Sequence, residues 1–404
     1  MVRAEFLMAN APSTSRPILR WFSVGLVVSI SLVFYGTAGL MVRANALRND
    51  FLCLYAVGLQ LNAGDGARLH EHDVQLQYQL QVQPETRAVV PFPRPRYYAE
   101  VFRPLALLPE GTALNVWQFL QFLGLIGTWW MLVIRYQAEI LILTSFFLPL
   151  PIGIAHGQDT GWMTFLVSLS VFVWQAGYSA WAGAVLALCL FKWHLILLVP
   201  VAMLLGKQWA MLRGFVVTAL VTVGVDFALD GMVGWKAYVS LLGQRDLDRM
   251  TPGLTLMPNL HGLFANLGIP GLWWIGLAFA LACFTLCALR LMWPQALLAA
   301  QVCGILAVPH SFEYDFAFLL FPLAAIVSRL GKSLGKWMAF FVLVPLLYFA
   351  QVFPSPWPGL LPLSLLGLLA ALAIEAWKTD TANVLDLKSR FGNRWDARRL
   401  FRFS

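Results

Sequence analysis

Apolar runs of about twenty residues recur along this chain, and they constrain its fold more than any other feature. At ~1.5 Å rise per residue such a run crosses ~30 Å of hydrocarbon. Hydrocarbon offers no partner to an unpaired backbone N–H or C=O, so a crossing segment is either a helix or part of a closed barrel. The runs here are continuous rather than alternating, which speaks against a barrel. With 59% hydrophobic and only 12% charged residues, the expectation is an all-α polytopic membrane protein. The 17 tryptophans and 10 tyrosines suit interfacial belts, with the mid-run tryptophans packing inside the bundle.

The first span is read at 18–42, too long for a cleaved signal and so a retained anchor. Residues 43–111 form a long polar insert whose Pro-rich end, VVPFPRPRYYAEVFRPLALLPEG, cannot be helix throughout. Its apolar stretch 51–61 is expected to lie along the membrane surface. Spans follow at 112–134, 140–155 and 161–175. Next comes SAWAGAVLALCLFKWHLILLVPVAMLLGK, with Lys192 and His194 at its middle. One straight helix would bury a lysine at mid-membrane, at about 2.5–3.5 kcal/mol on insertion scales. Two short helices meeting near Lys192, with the lysine facing a cavity, avoid most of that cost. Further spans are read at 212–228, 271–289, 294–308, 316–327, 337–352 and 360–376. That makes about twelve crossings, with a second polar insert at 229–269.

This path sorts the charges. The side holding both termini carries seventeen Lys or Arg against six acids, and the other side ten against fourteen. By the positive-inside rule the termini are cytoplasmic and both polar inserts share the outer face of a plasma (bacterial inner) membrane. The net charge of +8 is therefore a matter of topology and not a sign of nucleic-acid binding. Residues 1–376 read as one membrane domain. Residues 377–404 read as a basic cytoplasmic tail that lies on anionic lipid through Phe391, Trp395 and Phe401, or is simply solvated. The five cysteines fall mostly in apolar runs, and even the i, i+4 pair Cys283 and Cys287 reads as small core residues. No metal or cofactor is expected.

Polar residues gather at outer span ends in six separate segments: Asp50; Arg94, Arg96 and Arg103; His156, Gln158 and Asp159; Lys192; Asn259 and His261; His310, Glu313 and Asp315. Ionisable groups against apolar flanks point to function. Transfer of a sugar from a polyprenyl phosphate needs this mix. A base takes the acceptor hydroxyl's proton, which suits Asp50 at a wet interface. Cations stabilise the leaving phosphate, which suits Lys192 with Arg94, Arg96 or Arg103. Amides and imidazoles orient sugar hydroxyls, which suits Gln158, Asn259, His261, His310 and Glu313. No glycine-rich nucleotide loop follows a strand.

At these residues the chain resembles glycosyltransferase family 87. NDFLCLYAVGLQLNAGDGARLHEHD is similar to its Asp-Phe loop, and FRPLALLPEGTALNVWQFL, AHGQDTGWMTFL, AGAVLALCLFKWHLILLVPVAMLL, MPNLHGLFANL and VPHSFEYDFAFLLFPL follow in the family's order. The resemblance implies a GT-C membrane fold. It also implies inverting transfer of a hexose, mannose by family habit, from a polyprenyl-phosphate sugar to a glycan or glycolipid on the outer face. The base role then falls on Asp50, the family lysine on Lys192, its glutamine on Gln158, and its polar positions near the donor on Asn259 and His310. Lys192-Trp193-His194 replaces the family's Lys-Pro-x-Pro, and Leu69-His70 its Leu-Tyr.

Plainer readings stand beside these. Asp50 caps the following helix or pairs with Arg48. Lys192 snorkels to the interface. His310 bonds a backbone carbonyl after Pro309, and His70 and His72 are loop residues rather than metal ligands. In a different class, the same cationic cavity serves a carrier or flippase for a lipid-linked sugar, or a scaffold with a degenerate site.

Overall fold

The structure is a computed structural model that describes residues 22, 25, 29, 50–87, 89–136, 140, 144–243, 254–328, 333–348 and 359–391. All regular elements among them are helical. The expected first span lies outside the described residues except at Phe22, Gly25 and Ser29, which are helical. Among the described residues, five segments are long and apolar enough to cross a membrane: Glu110–Arg135, Ser179–Ile196, Trp209–Leu242, Pro270–Arg290 and Leu360–Lys378.

Helix α1 (Phe51–Asn62) does not lie on a surface as its sequence suggested. Ten of its twelve residues are buried. It is apolar on nearly every side, and a helix of that kind needs protein or lipid around it; here protein covers it. Helix α2 (His72–Val82) then solves a problem set by the prolines after it. The segment 89–95 is extended, and Pro91, Pro93 and Pro95 donate no hydrogen bond. Two glutamines one turn apart on α2 act as its partner strand. Gln79 donates to the Val90 carbonyl at 2.7 Å and accepts from the Val90 amide at 2.8 Å, while Gln75 accepts from the Phe92 amide at 3.1 Å. This lacing delivers Arg94 to the interior. A short helix, α3 (Arg96–Ala99), follows, and then α4 (Glu110–Arg135).

The third expected span is interrupted. Residues 147 and 148 leave the helix before α5 (Pro149–Ala155), where two prolines sit in the first turn. After it, α6 (Thr160–Gln175) runs beside α4, with Gly124 facing Gly161 and Gly127 facing Phe165. The long apolar run breaks as its lysine requires. Helix α7 (Ser179–Ala187) tightens to 3-10 geometry over Leu188–Lys192, and Lys192 leaves helical geometry (φ −117°, ψ 55°) before α8 (Trp193–Ile196) and α9 (Val199–Leu205).

Close approaches show that the chain doubles back at the break. Helix α10 (Trp209–Leu242) meets the start of α7, with Gly183 against the Met211 carbonyl and Gly214 against the Ala180 carbonyl. Neither glycine leaves room for a Cβ. On the return path, Leu195 lies against Gly304 near the end of α13 (Trp293–Ala307), and Gly206 against Ala288 near the end of α12 (Trp273–Arg290). Those two helices are antiparallel neighbours, so Lys192 marks one end of the hairpin and Gly206 the other. The α10 backbone breaks at Gly231 (φ 60°, ψ −169°), close to where the second polar insert was expected to begin.

Helix α11 (Leu260–Asn266) lies in that insert, before α12. The chain closes with α14 (Leu320–Val327), α15 (Leu334–Leu343) and α16 (Leu360–Phe391). The last is one continuous helix, so the basic tail begins as an extension of the final span. Residues 392–404 lie outside the described residues.

Gly183→Leu drives a side chain into the Met211 carbonyl. Overpacking of this kind lowers stability by about 1–3 kcal/mol, read as a lower thermal unfolding midpoint in nanodiscs. Gly224→Leu, at an exposed site with nothing within 4 Å, leaves that midpoint in place.

Candidate active site

The break in the helix pair puts the Lys192 ammonium 3.0 Å from Asp159 Oδ1 and 3.0 Å from Asp315 Oδ1. Asp159 comes from the turn between α5 and α6. There Gly157 adopts φ 73°, a conformation that costs other residues a Cβ clash, and its carbonyl accepts the Trp117 indole N–H at 2.9 Å. Asp315 comes from the 3-10 segment Glu313–Leu319, where its second oxygen accepts the Phe312 amide at 3.0 Å. Both carboxylates are thus fixed by their own turns before they meet the lysine.

Arg94 completes the network from above. Its Nε and Nη2 both reach Asp159 Oδ2 at 2.9 Å, and Nη2 also donates to Gln158 Oε1 at 3.0 Å. Tyr98 donates to the same carboxylate oxygen at 3.2 Å, and Gln158 donates to the Tyr314 hydroxyl at 3.4 Å. The Lys192 ammonium lies 5.5 Å from the Tyr314 ring centroid, within cation–π range. All four charged groups are buried, with Asp159 fully so. Two cations face two carboxylates, so the cluster is neutral as a whole. Unpaired charges at this depth would be prohibitive, whereas a hydrogen-bonded set is tolerated.

Asp50 stands at the N-terminal boundary of α1, yet its side chain does not cap the helix. Its carboxylate makes no hydrogen bond or ion pair among the described residues, and it is half-buried. Its field reaches Cys53, Glu313 and Tyr314, and Cys53 also faces the Arg94 guanidinium. Asp50 therefore stands beside the ion network without being part of it. Burial pushes the neighbouring Glu313 carboxyl above the ordinary range, which the nearby His156 partly opposes.

The other expected site residues are divided. Arg96 turns away to Glu100 at 3.2 Å and Asp230 at 3.0 Å, because α3 points successive side chains about 100° apart. Arg103 is half-exposed beside Glu100 and Asn62. Asn259 is fully buried with its amide engaged, capping α11 through the Gly262 amide at 2.9 Å and donating to the carbonyls of Val308 at 3.0 Å and Pro309 at 3.1 Å. It holds the turn that carries His310 rather than pointing at a ligand. His261 stacks on Trp273 with centroids 4.1 Å apart. His310 is half-buried in the turn before Ser311. The sequence assigned no role to Tyr98 or Tyr314; only their places in RPRYY and FEYD, beside charged residues, hint at one. Among the described residues no three His, Cys, Asp or Glu side chains form a metal-binding group.

The profile of glycosyltransferase family 87 matches residues 95–311, just over half of the 404 residues. The chain belongs to glycosyltransferase family 87. No curated protein and no solved structure matches it. Gln158, Asp159, Lys192 and Asn259 fall inside the family 87 match, Arg94 and Asp315 lie just beyond its ends, and Asp50 lies well before its start. The chain is thus a glycosyltransferase with helices suited to a membrane, and its matched core is built around the broken pair at Lys192.

Lys192→Met leaves Asp159 and Asp315 short of a partner and should destabilise the protein by about 3–5 kcal/mol. Arg103→Met breaks only an exposed pair and should cost less than about 1 kcal/mol. Thermal midpoints of the two variants in nanodiscs check the contrast.

Proposed function

We propose that the chain transfers a hexose, with mannose the first candidate, from a polyprenyl-phosphate sugar to a hydroxyl of a glycan or glycolipid. The reaction takes place on the outer face of the plasma membrane, with both termini cytoplasmic and the helices in a GT-C arrangement. The observation that carries this reading is the pairing of an uncommitted carboxylate, Asp50, with a buried ion network that holds two cations, Lys192 and Arg94. Asp50 takes the proton of the acceptor hydroxyl. The hydroxyl oxygen attacks the anomeric carbon as the bond from that carbon to the phosphate oxygen breaks on the opposite side, so the configuration inverts. The phosphate leaves carrying the electron pair.

Lys192 and Arg94 are the groups best placed for that phosphate. Lys192 has three donors, and Asp159 and Asp315 engage two. Fixed partners hold both cations in place, so little reorganisation is needed when charge develops. Gln158, Glu313 and His310 orient hydroxyls. Asn259 acts through the turn it holds. Arg96 and Arg103 lie to one side, and their contribution to the phosphate is the lesser one. A lipid tail is accommodated by the apolar helix faces around the site.

Asp50→Asn keeps the shape but cannot accept a proton. Transfer from a polyprenyl-phosphate sugar should fall by about 10²–10⁴ in kcat, with donor affinity little changed. The assay uses purified protein and a panel of such donors. Full activity in the variant removes the mechanism, and movement of labelled lipid-sugar across vesicles with no new glycosidic bond would favour the carrier.

A further inference from the structure

Helix α10 carries two acids where lipid is expected. Between Phe215 and Gly234 its only buried residues are Asp226 and Asp230, while Val225, Phe227 and Leu229 beside them are exposed. A carboxylate inside a helix suited to a membrane is expensive unless it has a partner and a task. The two acids stand one turn apart and so share a face of the helix, and that face meets α3. Asp226 Oδ1 accepts the Tyr97 amide at 2.8 Å, with the Arg96 amide directed at the same carboxylate. Asp230 Oδ1 accepts from the Arg96 guanidinium at 3.0 Å.

α3 is a single turn of four residues, Arg96–Ala99, too short to hold its shape unaided. The first amides of any helix lack partners within it, and Pro95, the residue ahead of this one, supplies no side-chain cap. The carboxylate of Asp226 takes that part from a different helix. What the segment carries makes the anchor matter. Arg94, two residues before α3 begins, and Tyr98, within it, both reach Asp159 Oδ2, at 2.9 and 3.2 Å. They sit on either side of the backbone that Asp226 holds, so any slide of the Tyr97 amide moves both of them against one oxygen. The glutamines of α2 secure the chain before Arg94; Asp226 secures it after.

We propose that Asp226 is a positioning residue for sugar transfer: through the backbone of α3 it fixes Arg94 and Tyr98 against Asp159. This rests on the reading of Arg94 as a phosphate-holding cation and deepens it. Among the described residues Asp226 makes no ion pair with Lys192 or Arg94, so it acts on the network only through the chain it holds. An amide donor needs an acceptor oxygen and not a charge. Asparagine should therefore replace the aspartate, and leucine should not.

The test is fluorine NMR on the full chain in nanodiscs, with a ring-fluorinated tyrosine in place of Tyr98, whose resonance reports its hydrogen bond to Asp159. Asp226→Leu should move that resonance and Asp226→Asn should leave it in place. Leu229→Ala, at an exposed site on the same helix, should be silent. A cap with only a local structural role lowers the thermal midpoint without moving this signal. An unmoved resonance in Asp226→Leu, or one displaced equally in Asp226→Asn, overturns the proposal. Should Asp226→Leu fail to fold, Asp226→Glu takes its place: the added methylene keeps the acceptor but pushes the amide away, and an unmoved resonance again overturns the proposal. With a polyprenyl-phosphate sugar as donor, kcat should fall about 10–10²-fold in Asp226→Leu and recover in Asp226→Asn, with the acceptor KM little changed. An unchanged kcat refutes the positioning role. If the parent chain transfers from no such donor, the donor assignment fails, while the resonance still reads whether Asp226 sets Tyr98.

Discussion

One ammonium group organises this protein. Lys192 sits in the middle of an apolar run, where an unpaired charge is expensive, and it is held between Asp159 and Asp315 at 3.0 Å each. The local fold serves that arrangement. The helix tightens and breaks at the lysine so that its head leaves the lipid-facing side. Asp159 is set by the Gly157 turn, and Asp315 by the 3-10 segment it caps. Arg94 reaches the same carboxylate from a proline-rich segment that two glutamines of α2 lace down through the Val90 and Phe92 backbone. Four distant stretches of sequence are thus joined by charge, while apolar packing between glycine-notched helices sets the distance between them.

The network is neutral at rest, and that shapes how it can work. Removing either carboxylate would leave a buried cation short of a partner in a low dielectric, so Asp159 and Asp315 hold the network together. The site presents cations whose positions are already fixed, and electrostatic stabilisation of a leaving phosphate depends on such preorganisation. Asp50 differs in kind. It is half-buried, it does not cap its helix, and it has no partner among the described residues. A base has to be free to accept a proton, whereas a phosphate-holding cation has to be fixed.

Much of this was legible in the residues. The continuous apolar runs announced the helices, and the lysine inside one of them announced its break. The family 87 motifs located Gln158 and Lys192, which the fold brings into one network with Arg94. Less legible was everything that depends on direction within a short element. In RPRYY, Arg94 and Tyr98 reach Asp159 while Arg96 reaches Asp230, so the two arginines part company, and no periodicity foretells that. The apolar stretch of α1 was read as interfacial because sequence cannot distinguish a helix covered by lipid headgroups from one covered by protein. Asn259 looked like a ligand-binding amide, since the Val308 and Pro309 carbonyls that take up its N–H donors lie about fifty residues away in sequence.

The central claim is spatial: proton acceptor and phosphate-holding cations flank one anomeric carbon. The most direct measurement is a cryo-EM structure of the chain with a non-reactive polyprenyl-phosphate sugar bound. The account predicts the phosphate within hydrogen-bond distance of Lys192 or Arg94, with the sugar between it and Asp50. A headgroup bound away from Lys192, or one with the phosphate rather than the sugar facing Asp50, would contradict it.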